Sequence, residues 1–378
     1  MTTTLTIDNK SVTLPDGGSV LDAINASDIY ISQLCKDPDM KAIGACRTCL
    51  VQIDGVRGFP ASCSVPAAEG MVVQTDSDDV RRIRSGVIEL TMAMLPEPAK
   101  NLHLRKGGGG DFGDFGQLTA AAQHHGIQSP RWQSRPREET DESNPVFNIA
   151  MESCILCGRC AQACQEGHQF IGAIDFLGAG ANSRIGTFMD KPLVESICTT
   201  CGQCLSVCPT GAIQTKEQSA ISVQQSATPV AEGGPLTADK LTADSLRSVS
   251  TTCPYCGVGC GIKIQVGDGD RFVEVQDDPE NLSSVGMLCV KGRFGTSFVH
   301  HPDRLTTPLI KEGGEFRPAT WDEALDLVAE RLTHYRGSSF GTLCSAKATN
   351  EDGYIQQKFS RLLMQSNNID HCTRLCHS

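Results

Sequence analysis

The sequence predicts an α+β chain built from several small domains, and three observations predict it. Short strand patterns and amphipathic helical stripes follow one another, with no long run of either. Sixteen of the nineteen cysteines fall into four separate groups of four. A stretch rich in Ser, Thr, Ala, Gly and Pro, residues 218–249, divides two patterned regions and reads as a linker. At 378 residues and 39% hydrophobic content, the chain can supply two or three ordinary cores.

Residues 1–78 read as one small unit. Residues 3–7 and 11–14 alternate around Asp8-Asn9-Lys10, a hairpin pattern. Ser19 followed by Asp22 forms a capping-box pattern and opens a short helix to Ala26. Residues 48–53 and 56–59 flank Asp54-Gly55, a second hairpin signal, and 71–74 is a further strand. Residues 79–145 begin with a helix over 78–95, in which Val80, Ile83, Val87, Leu90 and Met94 form one apolar stripe. Pro96 and Pro98 end it. The run Arg81-Arg82-Ile83-Arg84 on this helix reads as a solvated face. Beyond it, 99–145 is weakly patterned and reads as a loop or reduced subdomain. Residues 146–217 hold two cysteine-rich segments. Residues 250–378 begin another domain. Thr320 with Glu323 caps a helix to about Tyr335, with Leu325, Val328, Leu332 and Tyr335 on one face. A strand over 340–345 and a helix over 352–365 follow, so βα units are starting and the domain looks unfinished at Ser378.

Charge and composition exclude several classes. The net charge is −11 and no basic stripe occurs, which argues against a nucleic-acid partner. The N-terminal ten residues carry neither a charged-then-apolar signal nor twin arginines. No apolar run approaches the roughly 20 residues that cross a bilayer. The expectation is a soluble, cytoplasmic protein, in which clustered cysteines are metal ligands rather than disulfides.

Spacing identifies the metal chemistry. Cys35, Cys46, Cys49 and Cys63 combine a long gap, a Cys-x-x-Cys and a distant fourth ligand, the logic of a plant-type [2Fe–2S] site, although the first gap is ten residues rather than four. Gly44 and Gly58 would let backbone N–H groups approach the sulfides. A zinc site or scattered core cysteines are the plain alternatives, and the hairpin context favours the cluster. Cys154, Cys157, Cys160 and Cys164 repeat as Cys198, Cys201, Cys204 and Cys208, each with the spacing C-x₂-C-x₂-C-x₃-C, and Pro209 follows the last. This is the bacterial two-cluster pattern, in which the fourth cysteine of each run serves the other cluster. One [4Fe–4S] therefore takes Cys154, Cys157, Cys160 and Cys208, and the other takes Cys198, Cys201, Cys204 and Cys164. Cys253, Cys256, Cys260 and the distant Cys289 fit one more [4Fe–4S], with a zinc knuckle as the alternative from spacing alone.

Around that last set, Cys253-Pro-Tyr-Cys-Gly-Val-Gly-Cys and Leu288-Cys289-Val-Lys291-Gly292 resemble the molybdopterin oxidoreductases. The closest resemblance is to cytoplasmic formate dehydrogenase α subunits with a complex-I-like iron–sulfur extension. The resemblance extends through 319–324, 345–351 and the final Asn368 to Ser378 segment. It implies formate oxidation to CO₂ at a molybdenum or tungsten bis-molybdopterin guanine dinucleotide, a group held largely by sequence outside these residues. It implies that Cys376 ligates the metal, that His377 stands beside it, and that Lys291 lies between the nearby cluster and a pterin. A soft thiolate suits such a metal, and a histidine beside it could manage the proton of formate. A flavin- and iron–sulfur-containing, NAD-reducing subunit is the implied partner. One departure matters. Relatives carry a further cluster in the pattern H-x₃-C-x₂-C-x₅-C, but aligning His103 with that histidine leaves Gly107, Gly110 and Gly116 at the cysteine positions. That cluster is expected to be absent, with His103 a surface residue and His124 and His125 solvated rather than substitute ligands. Cys344 reads as core, and Cys372 has no assigned role. Two other readings remain: a nitrate reductase-type molybdoenzyme, and a non-catalytic electron-transfer subunit of a complex-I or hydrogenase-like assembly. If the 378 residues are the entire polypeptide, the expectation is that it cannot turn over formate alone.

Overall fold

The computed structural model describes residues 2–96, 117–167, 170–216, 247–267, 270–345 and 347–372. The chain divides into two units, Met1–Ser219 and Ala220–Ser378. Every described cysteine is free of disulfide bonds. Among the described residues, no helix is long and apolar enough to cross a membrane.

The first unit begins with a four-stranded sheet. Strands β1 (Thr2–Ile7) and β2 (Lys10–Pro15) form the hairpin expected at Asp8-Asn9, both of which take positive φ, 46° and 68°. Helix α1 (Val20–Asn25) is capped by Ser19, whose hydroxyl accepts from the Asp22 N–H while Asp22 accepts from the Ser19 N–H. The second hairpin does not form as two strands. Only β3 (Gln52–Ile53) is regular, and it pairs with β4 (Val72–Gln74), which also runs parallel to β1. Residues 54–60 contain Gly55 and Gly58 at positive φ, and Pro60, which has no N–H to donate. The return is held by a single Leu50–Ala61 bridge. Val20, Leu21 and Ile24 of α1 pack on Leu5, Ile7 and Val73 of the sheet.

Helix α2 (Asp78–Met92) buries a different face from the stripe in the sequence. Val80, Arg84, Ile88 and Met92 are inside, whereas Leu90 is 53% exposed. Arg84 corrects the reading of its basic run. Arg81 and Arg82 pair with Asp76 and Asp79 at the surface, but Arg84 is 1% exposed and donates to the Thr75 carbonyl. The N–H of Thr75 in turn donates to the carboxylate of Asp8 at 2.7 Å, so the guanidinium staples the helix to the first turn. Helix α3 (Gln117–His124), absent from the sequence reading, buries Leu118, Ala121 and Ala122 against α2. His124 is exposed, but His125 is half-buried and shares a hydrogen bond with Ser85 at 3.1 Å.

The rest of this unit is a small repeat. Strands β5 (Thr140–Asp141), β6 (Phe147–Ala150) and β9 (Ile213–Thr215) form one sheet, and β7 (Ile174–Leu177) pairs with β8 (Arg184–Thr187). Two one-turn helices, α4 (Arg159–Gln162) and α5 (Gln203–Ser206), each follow a glycine in the left-handed region.

In the second unit, β10 (Arg247–Thr252), β11 (Gly261–Gly267) and β12 (Arg271–Asp277) form an antiparallel sheet. Residues 247–249, read as the end of the linker, are therefore strand. Helix α6 (Val290–Phe294) follows Cys289, and β13 (Leu309–Glu312) pairs with β14 (Glu315–Pro318). Helix α7 (Trp321–Leu332) starts at Thr320, as its cap predicts, yet buries no residue. Strands β15 (Thr342–Cys344) and β16 (Ile369–His371) run parallel, with α8 (Asn350–Lys358) between them in sequence.

Candidate iron–sulfur and cofactor sites

The first cysteine set sits where a loop leaves the α1-and-sheet core. Cys35, Cys49 and Cys63 are buried and Cys46 is half-buried. They form two hydrogen-bonded pairs, Cys35 with Cys46 and Cys49 with Cys63. Cys35 holds the Cys46 thiol below its ordinary value, and Cys49 does the same for Cys63. The two donors are raised by the same bonds and then by burial. Two pairs of sulfurs fit two irons with two protein ligands each. Thr48, between Cys46 and Cys49, is fully buried; its hydroxyl lies 3.2 Å from Cys46 Sγ and donates to the Ser32 carbonyl at 3.1 Å. That residue was not singled out in the sequence, where a threonine between two cysteines carries no distinct signal. Gly44 and Gly58 both take positive φ, and a Cβ on Gly44 would come within 2.9 Å of Ser64 Oγ.

The second and third sets repeat each other in backbone as well as in sequence. Leu156 and Thr200, each two residues after the first cysteine of its run, take φ of 53° and 58°; Gly158 and Gly202 take 79° and 78°. The left-handed residue turns its N–H toward sulfur. Leu156 donates to Cys154 Sγ at 3.4 Å and Thr200 to Cys198 Sγ at 3.3 Å. Such bonds stabilise negative charge on the sulfur and on whatever it ligates. The fourth cysteines change partners. Cys154 and Cys208 are electrostatic neighbours of Cys157, whereas Cys164 is a neighbour of Cys198 and Cys204. One small cavity is lined by Cys154, Cys157, Cys160 and Cys208, and another by Cys164, Cys198, Cys201 and Cys204. Among the described residues, no three His, Cys, Asp or Glu side chains converge on a single-ion position. The sulfurs instead ring apolar-walled cavities, the arrangement a multi-iron cluster needs. Burial raises the thiol of Cys154 to about 11 and that of Cys157 to about 12, and pushes those of Cys160 and Cys204 well up. Four thiolates so enclosed are costly unless a cationic centre holds them.

The fourth set is more open. Cys253 is buried, Cys260 is half-buried, and Cys256 and Cys289 are exposed. The Cys253 N–H donates to the Cys260 carbonyl at 2.8 Å and closes the loop, and Cys289 and Cys256 are both electrostatic neighbours of Cys253. Gly292 passes close by, where a Cβ would lie 3.4 Å from Cys253 Sγ. Lys291, on α6, is exposed. Gly257 of the same loop is one wall of an open cavity of about 640 Å³, whose other walls include Cys344, Asn350, Tyr354 and His371. Cys344, expected in a core, is half-buried and lines this space. The Cys372 N–H donates to the Cys344 carbonyl at 3.3 Å, tying the end of β16 to β15. Cys376, His377, His103, Gly107, Gly110 and Gly116 lie outside the described residues.

Comparison with known proteins gives four matching family models, in order along the chain. Residues 1–78 match a 2Fe-2S iron-sulfur cluster binding domain, and 153–212 a 4Fe-4S dicluster domain. Residues 246–301 match the molybdopterin oxidoreductase Fe4S4 domain, and 304–378 the molybdopterin oxidoreductase model. Among curated proteins, one of Staphylococcus aureus (strain Mu50) named "Putative formate dehydrogenase" is 30% identical over 99% of this chain, which covers 39% of that protein. "Probable oxidoreductase YjgC" of Bacillus subtilis (strain 168) is 31% identical with the same coverage of each chain. The chain thus spans about two fifths of the length of these relatives. A crystal structure of an NAD+-reducing [NiFe]-hydrogenase in the H2-reduced state aligns with 57% of this chain and 88% of its own at 28% identity, with a TM-score of 0.49. With two iron–sulfur domains leading into two consecutive segments of one oxidoreductase, the chain belongs to the molybdopterin oxidoreductase family.

Proposed function

We propose that the protein carrying this chain is a formate dehydrogenase, oxidising formate to CO₂ and passing the electrons outward through four clusters. The observation that carries the proposal is the position of Gly257. It lies between Cys256 and Cys260, and it also walls the 640 Å³ cavity, so the proposed electron acceptor and a space open to a cofactor share one loop. The relatives named for formate dehydrogenase activity add support.

In this reading Cys35, Cys46, Cys49 and Cys63 hold one [2Fe–2S]. Three [4Fe–4S] clusters are held by Cys154, Cys157, Cys160 and Cys208, by Cys164, Cys198, Cys201 and Cys204, and by Cys253, Cys256, Cys260 and Cys289. A molybdenum or tungsten bis-pterin group, when bound, supplies the two-electron acceptor for formate. Cys376 offers it a thiolate, His377 orients formate or holds its proton, and Lys291 stands between pterin and cluster, all three by resemblance. The exposed Cys256 and Cys289 leave that cluster open to a close neighbour. A flavin- and iron–sulfur-containing, NAD-reducing subunit in the cytoplasm is the proposed acceptor.

Metal analysis of the full-length native protein tests this reading. Iron together with molybdenum or tungsten, and reduction of NAD or an artificial dye by formate, are expected. Iron without either metal would sink the catalytic reading in favour of an electron-transfer subunit. Oxidation of a reduced dye by nitrate, with no response to formate, would favour a nitrate reductase.

A further inference from the structure

Helix α6 presents Cys289, the residue that caps its N-terminus, and carries Lys291 within it. Its five residues, Val290–Phe294, are too few to hold a helix by themselves, so its place is set by what it is fastened to. Arg293 is the main fastening. It is buried, its N–H donates to the Cys289 carbonyl at 3.0 Å, and its guanidinium forks onto both carboxylate oxygens of Asp277, at 2.6 Å and 3.2 Å. Asp277 ends β12 and pairs across the sheet with Ile262, two residues after Cys260. The ion pair therefore joins the helix that presents Cys289 to the strand pair that leaves Cys260. The intervening residues 278–288 form turns rather than helix or strand, with Val285 and Gly286 both at positive φ. A second tie comes from the Tyr255 hydroxyl, which donates to the Gly295 carbonyl just past the helix. The other three cysteines of the set are placed differently. Cys253, Cys256 and Cys260 share one short loop, closed by the Cys253 N–H on the Cys260 carbonyl. Cys289 alone of the four is delivered by a separate element.

We infer that the Arg293–Asp277 ion pair is the positioning element for Cys289: it holds α6 so that this sulfur completes the ligand set of Cys253, Cys256 and Cys260, and its loss frees that one ligand rather than the whole cluster. The four sulfurs already gather, since Cys260 is an electrostatic neighbour of Cys253, Cys256 and Cys289. A guanidinium forked onto a carboxylate fixes direction as well as distance, which a single ammonium does not. Burial sharpens the dependence, because removing either partner leaves the other's charge stranded away from water. Cys289 is itself exposed, so packing around its own side chain does little to hold it. The same hold sets where the exposed Lys291 ammonium can reach. The inference rests on the assignment of a [4Fe–4S] cluster to these four cysteines but not on formate as the substrate.

The test uses full-length protein purified without oxygen, with its clusters in place, treated briefly with ferricyanide and read by electron paramagnetic resonance. Where one ligand is free, a ferrous ion leaves [4Fe–4S]²⁺ and the remaining [3Fe–4S]⁰ gives one electron to ferricyanide, which becomes ferrocyanide. The product, [3Fe–4S]⁺, has a distinct signal. Arg293→Lys, which keeps the charge and loses the fork, and Asp277→Asn should each give several-fold more of that signal than wild type, with the signals of the other clusters unchanged. Because the two residues act as one unit, the double variant should give little more than either alone. Wild-type resistance to ferricyanide in both single variants overturns the inference. So does loss of every iron–sulfur signal together with loss of cooperative unfolding in circular dichroism melts, which would make the pair a general prop of the fold. Cys289→Ala is the reference and should give the [3Fe–4S]⁺ signal in full. A complete [4Fe–4S] cluster in that variant overturns the ligand assignment first, a result separate from a failure of the ion pair.

Discussion

Cys157 and Cys256 occupy the same place in two similar motifs, but one is sealed in protein and the other faces outward. Around Cys157 the other three sulfurs are also buried, apolar residues close the cavity, and an arginine seals the edge. Around Cys256, two of the four sulfurs are exposed and the loop borders a large cavity. Two helices differ in the same way. Both α2 and α7 carry an apolar stripe, yet α2 buries Val80, Ile88 and Met92, whereas on α7 Leu325 is 57% and Val328 is 51% exposed. An apolar stripe records that a face needs a partner; it does not say that the partner lies among these residues. On the proposed assignment, the sealed set is a relay that needs no opening, whereas the open set serves a cofactor and must leave it an approach.

The largest difference is expected from the ligands. Cys208→Ser should remove one cluster's worth of iron and abolish cooperative thermal unfolding of the first unit, because it leaves three buried thiols around an empty cavity. Cys256→Ser should remove its iron while leaving that transition in place. Iron analysis with circular dichroism melts checks both, and equal losses of fold would erase the contrast. Next in size, Ile88→Ala should cost about 2–5 kcal/mol of stability in denaturant titrations. Leu325→Ala should fall within about 0.5 kcal/mol, and a large cost there would mean that α7 is covered in solution. Ser19→Ala, which breaks the capping box of α1, should cost about 0.5–2 kcal/mol.

The smallest effects are in pH, and the two units should respond with opposite sign. Burial, and then the Arg84 charge, lowers His125 to about 4 from 6.5, so the folded first unit favours the neutral ring. The stability this contributes is present above pH 6.5 and lost as pH falls through about 4. Burial raises Glu274 in the second unit to about 7 from 4.5, against the hydrogen bond it accepts from Gln276. Its protonated form contributes below pH 4.5, and that contribution is lost as pH rises through about 7. His125→Asn and Glu274→Gln should flatten the respective slopes in melts taken from pH 4.5 to 7.5.

Much of this was legible in the sequence where one local rule decides the outcome. Asp8-Asn9 makes the tight turn that its residues favour, and Ser19 and Thr320 cap the helices that their positions announce. The cysteine spacings, being covalent distances along the chain, gave the grouping of Cys164 and Cys208 before any fold was known. Tertiary choices were not legible. Arg84 looks like its exposed neighbours until Thr75 is seen waiting for it, and the burial of α2 rotates accordingly. The strand at Arg247–Thr252 has a linker's composition and becomes a strand by pairing with β11. Arg159 donates to the carbonyls of Gln33 and Lys36, over 120 positions away, and no period or spacing encodes that.

The exchange of Cys164 and Cys208 between the two repeats has a consequence for assembly. On the proposed assignment neither half of the repeat owns a complete set of ligands, so neither should mature while the other remains unfolded. Iron loading of the pair would then be an all-or-none event. Under iron scarcity, a population of these molecules would divide into fully charged and fully empty copies, rather than accumulating half-wired ones that accept an electron and have nowhere to send it.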